Sequence, residues 1–441
     1  MTSSAPDRFA LVDGNNFYVS CERVFRHSLR TSPCVVLSNN DGCAIARSNE
    51  AKDLGIKMGE PWFKIQHLQE SAGLVALSAN FELYGEISDR MMSLAAGLGH
   101  RQEIYSIDES FVDVTGVRGD LTERARVIRA RINQWVGIPT CIGIASTKTL
   151  AKLANHIAKQ AERKPGSYPV ELAQVADLSK LTTAELDALL GATDVGEVWG
   201  VGRRISEQLK SQGVATALDL KRMSAAAARA GWSVIFERTV RELQGESCMD
   251  MENVAPAKKE IACTRSFGAP VRDLDELIEA VTEFSGRAAQ KLRGQNGAAG
   301  QVMVFIRTSP FRKTPQYSRS VVVPLRSPSS DTGALVGAAL MGLKAIYKPG
   351  FDYAKAGVML LDIGSASTVQ FELDLDVADP ALGARPRLME ALDAVNDRYG
   401  RGTLKLASAG LGMAPRNWTM KQERRTPAYT TRWEDMPVVR A

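Results

Sequence analysis

The chain has 441 residues, 44% of them hydrophobic and 24% charged, with a formal net charge of +5. That length exceeds what one ordinary core organises and points to about three domains. No uninterrupted apolar run is long enough to cross a bilayer, and the polar start, Met1 to Arg8, has no apolar segment behind a basic stretch, so a cytoplasmic protein without a membrane partner is expected.

In chain order, Phe9-Ala-Leu-Val-Asp13 reads as a buried strand that delivers a carboxylate to a sheet edge. Residues 19–81 break the sheet pattern with short helical and turn-rich pieces and read as an inserted subdomain. Ile104 to Val114 reads as two strand segments with Asp108 and Glu109 at their joint, ended by Thr115-Gly116. Cys141 to Ala145 is a third strand, and Ser146 is the expected cap of a helix beginning near Lys148. From Gly166 to Glu246 the chain turns helical and Ala/Leu-rich, with glycines at 200, 202 and 213 as punctuation. Between residues 258 and 350, a helix from Leu274 to Leu292 and strands at Gln301–Arg307 and Arg319–Pro324 form a small α+β module. A Gly/Ala/Pro-containing stretch then leads to an Arg-rich C-terminus.

Charge is uneven along the chain. Residues 258–349 carry 14 Lys and Arg against 7 Asp and Glu, which leaves the remainder slightly acidic. One basic module in such a protein favours a polyanion, nucleic acid first, against the plainer reading of a solvated basic surface. The six cysteines lack the paired spacing of a zinc site and read as reduced, mostly buried thiols; the four histidines include no pair at i, i+3 or i, i+4. Any catalytic metal is therefore expected on carboxylates.

Asp13, Asp108 and Glu109 supply such carboxylates from two strand ends, a set suited to Mg²⁺ and to two ions about 3.5–4 Å apart. An Asp-Glu pair alone is more often a solvated turn. Lys148, Lys152 and Lys159 lie within roughly 40° of one another around a helix and share a face that could receive phosphates, or simply be an exposed stripe. Val195 to Gly213 has the form of a helix-hairpin-helix, in which free N–H groups around Gly200, Gly202 and Arg203 could hold a DNA phosphate; an ordinary glycine-containing helix connection is the alternative.

Asp13-Gly-Asn-Asn-Phe-Tyr18, Ser106-Ile-Asp-Glu-Ser-Phe111, Gly143 to Ala154 and Trp199-Gly-Val-Gly-Arg203 resemble, in order and spacing, the motifs of the Y-family DNA polymerases. Ser38-Asn-Asn-Asp-Gly-Cys43, Met58-Gly-Glu-Pro-Trp-Phe63 and Tyr429-Thr-Thr-Arg432 narrow the resemblance to the UmuC branch.

The resemblance implies an α+β right hand: palm (1–18 and 82–165), fingers (19–81), helical thumb with the helix-hairpin-helix (166–250), DNA-binding little finger (258–350) and a partner-binding C-terminal extension (351–441). It further implies error-prone translesion synthesis in the SOS response. Two Mg²⁺ ions would sit on Asp13, Asp108 and Glu109 with the Gly14 carbonyl. Lys52 and Lys159 would contact the dNTP triphosphate, Tyr18 would be the steric gate against a ribose 2′-hydroxyl, and Phe17 would pack beneath the sugar. Lys148, Lys152, Gly200, Gly202 and Arg203 are the expected contacts to primer-template DNA. The implied partners are a cleaved UmuD-type dimer, a RecA filament and the sliding clamp.

Two departures stand out. The segment Asn49-Glu-Ala-Lys52 lacks the tyrosine and arginine usual in the family's fingers, which weakens the expected grip on the triphosphate. The segment closest to a clamp-binding peptide is Gln370-Phe-Glu-Leu-Asp374, with Gln370, Phe371 and Leu373 as candidate contacts and Asp374 at the apolar anchor. Outside the polymerases, the same pattern is open to a DNA-binding accessory protein with a dead palm or to a palm-domain nucleotidyl cyclase.

Overall fold

The computed structural model describes residues 7–252, 256–366, 385–410 and 416–438. Among them run the strands β1 (Phe9–Gly14), β2 (Cys34–Leu37), β3 (Ala44–Arg47), β4 (Val75–Ser78), β5 (Arg101–Ile104), β6 (Glu109–Asp113), β7 (Thr140–Ala145), β8 (Val175–Asp177), β9 (Ile261–Val271), β10 (Gly297–Thr308), β11 (Ser318–Ser329) and β12 (Tyr353–Ser365). The chain divides into two compact units: residues 1–38, 42–255 and 424–441 in one, 39–41 and 256–423 in the other.

The first unit is organised by a five-stranded sheet in the order β5-β6-β1-β7-β8. Side chains of β1 alternate between two cores: Ala10 and Val12 join the one that includes helices Phe81–Ala95 and Leu121–Val136, whereas Phe9 and Leu11 join the one built on helix Lys148–Arg163. Burial on both faces explains why the strand reads as a continuous apolar run. The same alternation puts Asp13 on the face of helix Lys148–Arg163. That helix lies close to the sheet because position 143 is glycine: a Cβ there would stand 2.2 Å from the Asn155 amide nitrogen and 2.3 Å from the Ala151 carbonyl oxygen. Its cap is Thr147, whose side chain accepts from the Leu150 N–H, not the expected Ser146.

A three-stranded sheet, β3-β2-β4, forms the inserted subdomain. Short helices between Thr183 and Leu243 follow the first sheet in the chain. In the second unit, β11-β10-β12-β9 is antiparallel throughout, and helices Leu274–Arg293 and Thr332–Ile346 cover one of its faces.

Two expected boundaries move. β8 pairs with β7 of the first sheet although it lies beyond residue 165, and β12 is an interior strand of the second unit's sheet although it lies beyond residue 350. In both cases a partner strand completes a sheet after an intervening helix, a pairing no local pattern announces. The six cysteines are free, three of them buried. No helix among the described residues is long and apolar enough to cross a membrane.

Candidate active site and nucleic-acid surfaces

The site is built on a register. Asp13 at the end of β1 sits directly opposite Glu109 at the start of β6, and the Gly14 N–H donates to the Asp108 carbonyl at 2.9 Å. Ser106 shapes the preceding turn: its hydroxyl donates to Asp108 Oδ1 at 2.6 Å and accepts from the N–H groups of Asp108 (3.3 Å) and Glu109 (3.1 Å). The three acids expected to act together thus come from adjacent positions of one sheet edge.

Lysines meet the charges of Asp13 and Glu109, and that of Glu103 on β5. Lys159 Nζ lies 2.6 Å from Asp13 Oδ2, Lys152 Nζ donates to Glu109 Oε2 at 2.8 Å, and Lys148 Nζ lies 2.5 Å from Glu103 Oε2. The lysine face predicted from helical spacing is therefore real, but it points at the sheet and pairs rung by rung with carboxylates from β1, β6 and β5. Lys152 is also held over the rings of Tyr105 and Trp199, at 4.4 and 5.2 Å. Lys148 is only 2% exposed and additionally donates to the Asp250 carbonyl. Its enclosed and already neutralised ammonium disfavours the expected contact with a DNA phosphate.

Asp13 is 5% exposed, and its Oδ1 has no hydrogen-bond partner among the described residues. Burial pushes its carboxyl up to about 7, with Lys159 opposing and the neighbouring Glu109 reinforcing the rise. The described residues contain no ready-made cluster of three or more His, Cys, Asp or Glu side chains arranged around a cation. The acids nonetheless fit one: a desolvated carboxylate oxygen lacks a partner, and two ammonium groups stand where divalent charge would relieve the same carboxylates.

Beside these acids opens a cleft of about 320 Å³, lined by Asp13, Gly14, Asn16, Phe17, Tyr18, Ile45, Ala46, Arg47, Lys52, Met58, Ile107, Asp108 and Lys159. It gathers most of the expected nucleotide contacts. Lys52 Nζ lies 2.5 Å from Asn16 Oδ1. Burial, with Arg163, Arg47 and Lys159 nearby, pushes its ammonium down to about 8. Phe17 is buried, while Tyr18 is half-buried, stacked on Tyr84 with ring centroids 4.6 Å apart and planes 17° from parallel. Sequence reasoning missed Asn16, Arg47 and Met58. Asn16, in the left-handed region at φ 49, stands at the N-cap position of helix Phe17–Phe25 without a capping side-chain bond, and Arg47 ends β3 with its Nε buried and without a partner among the described residues. A polar residue ending a strand beside a lysine-bearing turn is a weak signal by itself.

At Gly200–Arg203 the backbone turns through Gly200 at φ 88, and Gly202 begins helix Arg203–Ser211 with no side chain accepting from its first amides. The Arg203 side chain is 93% exposed. In the second unit, the sheet face away from the helices carries Gln301, Met303, Phe305 and Arg307 from β10 and Lys355, Gly357 and Met359 from β12, all but the buried Gly357 half-buried or exposed. Arg307 and Lys355 are directly opposite across the strands. Partial burial and Arg307 push the Lys355 ammonium below its ordinary value. Like charges so placed repel. The expected clamp-binding segment, Gln370, Phe371 and Leu373, lies outside the described residues.

Residues 12–156 match the impB/mucB/samB family, residues 258–373 its C-terminal domain, and residues 386–439 a domain of unknown function, DUF4113. The chain is 46% identical to Protein UmuC of Salmonella typhimurium, over 97% of this chain and 99% of that one, and 43% identical to Protein ImpB of the same species, over 98% and 99%. DNA polymerase IV of Dehalococcoides mccartyi is 27% identical over 89% of this chain and 95% of its own. Among solved structures, a Y-family polymerase chimera of Dbh and Dpo4 superposes with a TM-score of 0.63, and an insertion ternary complex of Dbh DNA polymerase with 0.53. Each is 21% identical and covers 81% of this chain and 99% of its own, which supports the right-hand fold. Likeness to UmuC over nearly the whole length, on a palm whose acids meet at one sheet edge, shows that this chain belongs to the impB/mucB/samB family, the UmuC branch of the Y-family DNA polymerases.

Proposed function

We propose that the chain adds dNTPs to a primer 3′-hydroxyl opposite damaged template by phosphoryl transfer supported by two Mg²⁺ ions, on Asp13, Asp108, Glu109 and the Gly14 carbonyl. The observation that carries this reading is the convergence of Asp13 opposite Glu109, with Asp108 adjacent, at a cleft shared with Tyr18, Lys52 and Lys159. Bound divalent ions supply activation of the attacking hydroxyl and neutralisation of the leaving pyrophosphate.

The chain's own residues do the positioning. Asp13 and Glu109, released from Lys159 and Lys152, present oxygens on one face of the sheet. Lys159, Lys52 and Arg47 then face the triphosphate, where phosphate charge favours the ammonium form of Lys52 that burial and neighbouring cations disfavour. Tyr18, braced by Tyr84, closes the space a ribose 2′-hydroxyl would need, and Phe17 packs beneath it. The fingers wall of the cleft, Ile45 and Ala46 with Met58, offers little rigid surface for testing base-pair shape, which favours low fidelity and tolerance of lesions.

Duplex backbone is held by the amides at Gly200, Gly202 and Arg203 and by the outer sheet face of the second unit. There the opposed cations Arg307 and Lys355 gain a polyanion to share. A cleaved UmuD-type dimer, a RecA filament and the sliding clamp are the proposed partners, in the cytoplasm. Primer extension across an abasic template site, by the full chain with the UmuD-type dimer and RecA filament, tests the reading. Template-dependent incorporation that disappears in Asp108→Ala supports it, and incorporation indifferent to template or to Asp108 overturns it.

A further inference from the structure

The segment Arg424–Tyr429, at the far end of the chain, returns to the first unit and lies along β4, the edge of the β3-β2-β4 sheet. Arg425 forms a parallel bridge to Ser78, the Ser78 N–H donates to the Arg424 carbonyl at 3.1 Å, and the Arg424 N–H donates to Ser78 Oγ at 3.0 Å. Asn80 Nδ2 donates to the carbonyls of Thr426 (3.3 Å) and Pro427 (3.2 Å), and the Tyr429 ring stacks on Phe25 at 4.7 Å. An otherwise open sheet edge is thereby covered.

One atom links this strap to the cleft. Glu22 Oε1 accepts from Thr426 Oγ1 at 3.1 Å and from Tyr84 Oη at 2.8 Å. Glu22 and Tyr84 are wholly buried, and Glu22 Oε2 has no partner among the described residues, so the bonds to Oε1 decide how firmly the carboxylate is held. The proton count fits: Asn80 Nδ2 donates to the Thr426 hydroxyl at 3.1 Å, which leaves that hydroxyl's own proton for Glu22. Tyr84 in turn is the ring on which Tyr18 rests.

We infer that Arg424–Tyr429 is a positioning strap for sugar discrimination: Thr426, through Glu22, fixes Tyr84, and Tyr84 fixes the ring of Tyr18 at the cleft. The inference rests on the reading of Tyr18 as the steric gate. A gate excludes a hydroxyl only while its ring cannot shift by a fraction of an ångström, so the residues behind it set its strictness.

The test is single-nucleotide insertion by the full chain in its assembled complex, measuring the ratio of kcat/KM for a dNTP to that for the matching rNTP. Thr426→Val keeps the shape without the hydroxyl, Tyr84→Phe keeps the ring without the phenol, and Thr426→Ser restores the hydroxyl. Both deletions are expected to lower the ratio roughly three- to tenfold, the scale of one hydrogen bond. The double variant should fall by less than the product of the singles, because both bonds end on one oxygen. Thr426→Ser should recover the wild-type ratio. A merely structural role would depress both substrates together and leave the ratio alone. If Thr426→Val does not fold, Tyr84→Phe reads the same path. Unchanged ratios in both deletions, while Tyr18→Ala loses discrimination, overturn the strap and leave the gate standing; an unchanged ratio in Tyr18→Ala removes the gate and the strap with it.

Discussion

The cleft of the first unit and the outer sheet face of the second handle charge in opposite ways. At and beside the cleft Asp13 of β1, Glu109 of β6 and Glu103 of β5 each have an ammonium partner on helix Lys148–Arg163 at 2.5–2.8 Å, and Lys148 is buried. On the outer sheet face Arg307 and Lys355 oppose each other with no carboxylate between them in the register. Buried charge must be neutralised where it stands, whereas exposed charge can be left unneutralised for a ligand to complete. The first arrangement suits chemistry that needs fixed positions, and the second suits a grip that must slide.

The sharpest way to break this contrast is to delete acids from the cleft. Asp108→Ala and Glu109→Ala are each expected to lower kcat/KM for nucleotide insertion on the order of 10³-fold or more, with DNA affinity nearly unchanged. Steady-state insertion kinetics alongside a DNA-binding isotherm check both halves.

Lys148→Ala separates burial from binding. It leaves Glu103 without its ammonium partner, with only the Glu252 N–H still donating to Oε2, and is expected to lower stability by about 3 kcal/mol, read by denaturant unfolding. A large loss of DNA affinity with unchanged stability would restore Lys148 to the DNA surface.

Asp13 sharpens the picture through pH. Burial holds its carboxyl at about 7 in the folded chain, against 3.8 ordinarily, so the folded state binds the proton more tightly than the unfolded one. The resulting stabilisation is full below pH about 4 and is lost as pH rises through about 7. In a chelating buffer, Asp13→Asn, which never ionises, should gain thermal midpoint relative to wild type across that window, and added Mg²⁺ should narrow the gap by stabilising wild type alone. A gap independent of pH would contradict the assignment.

The smallest effects belong to the outer sheet face. Arg307→Ala and Lys355→Ala should each reduce the salt slope of DNA binding by about 1, irrespective of sequence. Neither should destabilise the free protein, because each removes a like-charge repulsion.

Much of the site was legible in the sequence because its signals are local. A strand ending in Asp13, a turn bearing Asp108 and Glu109, and three lysines at helical spacing each declare their geometry within a dozen residues. Helical spacing gave the lysine face but not its direction. That depended on Gly143 letting the helix approach the sheet, which sets the lysines against carboxylates as a row of ion pairs. The contacts that fix the cleft from behind were invisible, since Thr426 meets Asn80 and Glu22 across 346 and 404 residues of chain. β8 and β12 escaped their assigned domains for a similar reason: strand pairing is decided by the partner, and the partner is remote.

The most direct measurement counts Mn²⁺ bound to the full chain by electron paramagnetic resonance, with a dideoxy-terminated primer-template and the matching dNTP. Two ions per chain in wild type, and a loss of ordered binding in Asp13→Asn and Glu109→Ala, are predicted. Undiminished binding in those variants would mean that the acids facing Lys159 and Lys152 are structural ion pairs and that the chemistry lies elsewhere.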